Sequence, residues 1–268
     1  MNAIGAPGDA RMATGPAAGR SPGTAGRVGA RAPRVAVIVP VLNEAAGIGD
    51  RLRALDGAGF AEVIVVDGGS DDGTVARIRT LVETLPGVPG TRGRITLLHA
   101  PRGRAVQMNR GAAAATADVL LFLHADTRLP PGAAEMIQGA VRQGHEWGRF
   151  DVRLDGRPYP LRLIERAMNI RSALTGIATG DQAQFVRRDL FAMLRGFAPI
   201  PLMEDIELSR RLCRLARPAR IRAPVASAAR RWLRGGIART VLRMWGLRLL
   251  YWFGISPAQL LRFYPDVR

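Results

Sequence analysis

Three groups of residues have the types and spacing to do chemistry. His124-Ala125-Asp126 directly follows the apolar run Val119 to Leu123. Alternate residues of an extended chain point the same way, so His124 and Asp126 would share a side. Asp126 offers a hard oxygen ligand for Mg²⁺ or Mn²⁺ bridging to a phosphate, and His124 offers a second ligand. Glu204-Asp205 follows Pro199 and Pro201 at the predicted start of a helix. Such a pair could divide one task, with one carboxylate as general base and the other holding it in place. Asp67-Gly68-Gly69-Ser70-Asp71-Asp72-Gly73-Thr74 ends a second apolar run, Val63 to Val66. Carboxylates there could accept hydrogen bonds from a nucleobase imide or ribose hydroxyls, while exposed amides suit phosphates. Each group also has a purely structural reading. Asp71, Asp72, Glu204 and Asp205 fit as helix caps, and Asp126 as a turn residue before Pro130-Pro131.

The elements that would position these groups are legible as alternating short apolar runs and helical stretches. Val35 to Val39, Val63 to Val66, Ile95 to Leu98 and Val119 to Leu123 read as strands buried on both faces. Helices are expected at about 44–55, from 72, at 104–115 and at 131–142. This order predicts an α/β domain with a parallel sheet. Ligands of such sheets sit at the carboxyl ends of the strands, where all the early polar groups fall. Beyond Pro130, residues 147–154 alternate like an exposed strand. Helical signals return at 161–174, 205–215 and 237–253. Residues 85–93 read as a Pro/Gly loop. Residues 1–33, rich in Gly, Ala and Arg, are expected to be disordered because they hold too little apolar surface to offset ordering. A main domain over 34–233 and a basic, aromatic, helical segment over 234–268 complete the expected organisation.

Composition excludes several chemistries. All thirty-nine basic residues are arginine, and against twenty-two acids they leave a net charge of +17. Without lysine there is no P-loop, no Schiff-base enzyme and no protein kinase. The single Cys213 rules out an intramolecular disulfide and a multi-cysteine zinc site, and it fits a reducing, cytoplasmic setting.

Six stretches in order resemble family 2 glycosyltransferases of the GT-A fold. They are Val37-Ile38-Val39-Pro40-Val41-Leu42-Asn43-Glu44, Val65 to Thr74, Gly103 to Ala112, His124-Ala125-Asp126, Gly180-Asp181-Gln182 and Glu204-Asp205. The resemblance covers about 34–233. It implies a mixed, mostly parallel sheet flanked by helices, and transfer of a sugar from a nucleotide-sugar to an acceptor hydroxyl, inverting and metal-dependent. The donor nucleotide would meet Pro40, Asn43, Glu44, Asp67, Gly69, Arg104, Asn109 and Ala125. Asp126 would match the last acid of the family's Asp-x-Asp and hold Mg²⁺ or Mn²⁺, with His124 in place of the first acid. That substitution resembles a compact bacterial subgroup found with radical-SAM and arsenosugar-type genes. Gly180, Asp181, Gln182, Arg231 and Trp232 would lie on the acceptor side, with Asp205 as base and Glu204 beside it. Arg231-Trp232 resembles the end of the Gln-x-x-Arg-Trp motif of processive enzymes, but Ala228 stands in place of glutamine.

Charge leaves other readings in view. A non-catalytic module that binds a sugar nucleotide would keep the same motifs. A basic chain could bind nucleic acid through its phosphates, but the chain has few aromatics to stack bases, and its acids cluster at strand ends. Residues 201–268 hold fourteen arginines against four acids. Interleaved with Trp245, Tyr251, Trp252 and Phe253, they predict either peripheral contact with the anionic inner face of the plasma membrane or simple core cover.

Overall fold

β1 (Val35–Val41) is buried along its whole length, as its unbroken β-branched run requires. In the computed structural model, which describes residues 31–84, 95–156, 158–229 and 236–264, β1 is central to a mixed sheet. It pairs in parallel with β2 (Glu62–Asp67) and β4 (Val119–Phe122), and β2 pairs in parallel with β3 (Ile95–His99). Val41 and Asp67 stand opposite each other, so the polar loops after β1 and β2 open on one sheet edge. The other strands are β5 (Thr127–Arg128), β6 (Trp147–Asp155), β7 (Phe185–Arg187) and β8 (Ala219–Ala228). The eight strands run in the order β3-β2-β1-β4-β7-β6-β8-β5. β7 is antiparallel to β4 and β6, β8 is parallel to β6, and β5 is antiparallel to β8.

Alternate residues of β1 feed two cores. Val35, Val37, Val39 and Val41 join the cluster containing Ile48 and Leu52 of α1 (Ile48–Leu55), Ile78 of α2 (Thr74–Thr84) and Ile137 of α4 (Ala133–Arg142). Leu161 and Met168 of α5 (Tyr159–Thr175) extend that cluster. Ala36 and Ile38 face the opposite cluster, with Met108 of α3 (Arg104–Ala114), Leu190 of α6 (Arg188–Met193) and Leu208 of α7 (Glu204–Cys213). A third cluster joins Leu202, Met203 and Ile206 to Leu247 of α8 (Ile237–Trp252) and Leu260 of α9 (Pro257–Leu260). That contact lays the C-terminal helices over the start of α7.

Several expectations need correction. The helix expected from about residue 44 starts at Ile48, because Asn43 takes a left-handed φ of 55° and residues 44–47 form a turn. The strand at 147–154 is not exposed, since β7 and β8 flank it and only Arg153 lies open along 147–154. Its polar alternation is buried as ion pairs: Arg149 bonds Asp151 at 2.9 Å, and Arg220 of β8 bonds Asp151 at 2.8 Å. β8, with Arg220, Arg222 and Pro224, is a strand that the sequence reading did not include. Its pairing with β6 shifts register between Phe150 and Asp151, where Pro224 stands, as a proline in a sheet usually requires. The expected disorder of 1–33 and the 85–93 loop fall almost wholly outside the described residues, as do Arg231 and Trp232.

Candidate functional site

The loops after β1 and β2 are bonded to each other. Asn43 N–H donates to the Ser70 hydroxyl at 2.9 Å, and Asp71 N–H donates to Asn43 Oδ1 at 3.0 Å. Glu44 N–H reaches the Thr74 hydroxyl at 2.8 Å, and Ala45 N–H reaches Asp72 at 3.0 Å. Asp72 also accepts from Thr74 N–H at the start of α2, and these bonds hold its carboxyl below the usual range against the opposing effect of burial. Gln107 of α3 donates to the carbonyls of Val41 and Val66 at 2.8 Å each. This buried amide ties the ends of β1 and β2 together, a role that only the fold reveals. Gly111, one turn on, allows the close approach: a Cβ there would lie 2.5 Å from Ile38 Cγ2.

Asp67, expected to meet a base or ribose, is 2% exposed. Its carboxylate accepts from Gly69 N–H at 2.9 Å and from Ser70 N–H and hydroxyl. In this arrangement Asp67 builds the loop that presents Gly69 and Ser70. Asn109 likewise spends its amide on the chain, donating to Phe197 O at 2.8 Å and accepting from Phe197 N–H at 2.9 Å. Pro40 is buried within β1, and Ala125 packs partly against the core.

The other expected residues meet at one cavity of about 700 Å³ whose wall includes Arg104, His124, Asp126, Gly180, Asp181, Glu204 and Asp205. Arg104 Nε lies 3.3 Å from Glu204 Oε1, and its Nη1 lies 3.3 Å from His124 Nε2. A guanidinium has no acceptor, so Nε2 accepts and the ring proton sits on Nδ1, which lies 3.6 Å from Asp181. Both ring nitrogens of His124 are thus directed at protein partners. His124 also lies against the Gly180 backbone, where a Cβ would stand 2.1 Å from Nε2. Position 180 therefore excludes any side chain while the ring stays in place. Gln182 is buried and accepts from Thr179 N–H within the 3-10 turn Gly180–Gln182, so it shapes the turn rather than lining the cavity.

The two adjacent carboxylates differ. Glu204 is buried beside Arg104; burial and the like charge of Asp205 push its carboxyl up, against the attraction of Arg104. Asp205 is half-buried, and its oxygens accept from Gly180 N–H at 2.7 Å and Ile206 N–H at 2.7 Å. Each oxygen keeps a second lone pair, so the carboxylate is oriented without being saturated. Met203, just before the pair, holds φ at 67°, an uncommon conformation for a bulky residue. Its burial against the cluster containing Leu247 and Leu260 fixes that turn.

A divalent cation fits this wall through Asp126, whose carboxylate has one hydrogen bond among the described residues, a long one of 3.5 Å from the Thr127 hydroxyl. No group of three or more His, Cys, Asp or Glu gathers for a metal among the described residues. A cation there would take its other ligands from substrate phosphates and water, as Mg²⁺ commonly does.

Comparison with known proteins agrees with this fold. The profile of glycosyl transferase family 2 matches residues 36–196. No curated protein matches the chain. Among solved structures, the chain is similar to the mannosyltransferase PcManGT from Pyrobaculum calidifontis, determined with GDP-Man and Mn²⁺. That likeness has 25% identity and a TM-score of 0.56, over 74% of this chain and 57% of that one. It is also similar to residues 1–349 of S. aureus TarS, with 17% identity and a TM-score of 0.58, over 81% of this chain and 65% of that one. The second likeness concerns the fold alone. The chain spans less than two thirds of either.

Proposed function

The chain belongs to glycosyl transferase family 2, and from that premise we propose that it moves a sugar from a nucleotide-sugar to an acceptor hydroxyl with inversion. It has the GT-A fold. The observation that carries the reaction is the placement of Asp205, held by Gly180 N–H, on the same cavity wall as Arg104 and Asp126. Asp205 takes the acceptor proton while the acceptor oxygen bonds to the anomeric carbon. The bond from that carbon to the diphosphate breaks on the opposite face, and its electron pair leaves with the nucleoside diphosphate. Arg104 and the loop amides after β1 and β2 would face the nucleotide, with Asn43, Glu44 and Gly69 nearest to it. The Pyrobaculum protein was determined with GDP-Man and Mn²⁺, which supports a sugar-nucleotide donor and a divalent cation here. Asp126 would hold Mg²⁺ or Mn²⁺, which would supply charge to stabilise the departing diphosphate. His124 serves on this reading to position Arg104 and Asp181.

No helix of the described residues is long and apolar enough to cross a membrane. The arginines and aromatics of α8 support a peripheral seat on an anionic membrane surface.

A thermal-shift series tests the donor site. Nucleoside diphosphates with Mn²⁺ should raise the melting temperature in proportion to affinity. Asp126→Ala should fold and lose the Mn²⁺-dependent part of that shift. An unchanged shift in Asp126→Ala, or full turnover in EDTA, would sink the metal assignment.

A further inference from the structure

The catalytic wall occupies one part of the cavity. The rest is apolar and runs between two helices: α5 contributes Leu163, Ile164, Ala167 and Met168, and α8 contributes Met244 and Trp245. The groove continues onto open surface, where Leu163 is 52%, Leu174 82% and Trp245 67% exposed. A sugar hydroxyl alone has no use for such walls, and apolar patches of this kind mark sites for apolar ligands.

Two cations sit within the same lining. Arg171 of α5 and Arg248 of α8 both face the cavity. Arg171 Nε and Nη2 and Arg248 Nε are buried and have no hydrogen-bond partner. Among the described residues the Arg171 side chain has one hydrogen bond, a long one of 3.5 Å from its Nη1 to Ile177 O. Burial and then the like charge of Arg248 push Arg171 down to about 10, while Asp205 pulls it up. Two guanidiniums and the candidate base therefore share one space. Buried donors of this charge are costly to leave unpaired, so their arrangement calls for an anion.

We propose that the acceptor is an anionic amphiphile, with its apolar chain lying between α5 and α8 and its phosphate or carboxylate held by Arg171 and Arg248. The acidic group then places a neighbouring hydroxyl at Asp205. This rests on the glycosyltransferase reading above and adds the acceptor class to it.

The test is binding of dodecyl phosphate, dodecanoate and dodecanol, each below its micellar concentration, to the full chain. Calorimetry and tryptophan emission, to which Trp245 contributes, would report it. Either anion should bind about tenfold or more tightly than dodecanol, as charge-assisted hydrogen bonds provide. Tighter binding of one anion identifies the headgroup as phosphate or carboxylate. Affinity should climb from hexyl to dodecyl phosphate by roughly two- to fourfold per methylene. Arg171→Met and Arg248→Met should each lose the preference for the anions. Arg171→Met should melt no lower than the parent without ligand, because it removes a charge whose Nε and Nη2 are buried without hydrogen-bond partners. Equal binding of dodecanol, or an unchanged preference in both variants, overturns the proposal. So does an equal loss of nucleoside diphosphate affinity in those variants, which would give the arginines to the donor. Anion binding without any nucleoside diphosphate binding overturns the donor reading, and with it the acceptor role.

Discussion

At the scale of single residues, the adjacent acids are separated by their surroundings. Glu204 points into protein and faces Arg104 at 3.3 Å. Asp205 faces the cavity and is oriented by two backbone N–H groups. A base must reach an acceptor and stay ionised. Burial works against the ionised form of Glu204, and its carboxylate is engaged by Arg104. Asp205→Asn is nearly isosteric, so nucleoside diphosphate binding should persist while kcat falls by roughly a hundredfold or more. Glu204→Gln should instead weaken donor binding and lower the melting temperature, because Arg104 loses its counter-charge. Steady-state kinetics beside calorimetry on both variants separates the roles. A near-normal rate in Asp205→Asn with an inactive Glu204→Gln would exchange them.

At the scale of elements, Asn109 shows how a motif residue can serve the frame. Its amide closes on both backbone groups of Phe197. Phe197 packs edge-on against Phe122 at 4.7 Å and against Phe191 at 5.5 Å. The clamp therefore fixes the chain that leads through Leu202 to Glu204. Asn109→Ala should cost about 1–3 kcal/mol, the worth of two partly buried hydrogen bonds, and leave nucleoside diphosphate affinity unchanged. Loss of that affinity with an unchanged melting temperature would return Asn109 to the donor site. The parallel half of the sheet was legible because β1, β2 and β4 are buried on both faces and carry little but apolar residues. In the other half, β6 was legible as a strand but its burial was not, because Arg149 and Asp151 mimic a solvated face, and Arg220 reaches Asp151 only once β8 pairs with β6. The site was legible where a motif residue lines the cavity, as Asp126 and Asp205 do. It was not legible for Gln107, Arg171 and Arg248, whose places depend on neighbours distant in sequence.

At the scale of the molecule, the charge is unevenly spread, and the excess lies where apolar residues are also exposed. On and just after α8, Leu242 is 74% exposed, and Trp245, Trp252 and Phe253 are each 67% exposed. Arg239 is exposed among them on α8, while Arg243 and Arg248 are half-buried and Arg248 faces the cavity. Only Thr240 and Leu247 of this helix are buried, so core cover accounts for little of its apolar surface. Aromatics and arginines together suit the interface of an anionic bilayer, where each basic residue contributes about 1 kcal/mol near the surface. An acceptor with an apolar chain would also be most concentrated there, beside the open end of the groove between α5 and α8. The protein should co-float with vesicles containing anionic lipid at low salt and be released at high salt, where charges are screened. Paired Trp252→Ala and Phe253→Ala substitutions should weaken flotation without lowering the melting temperature, since both rings are exposed. Failure to co-float at low salt would make the helix a cover for the cavity alone, and the acceptor would then have to reach the site from solution.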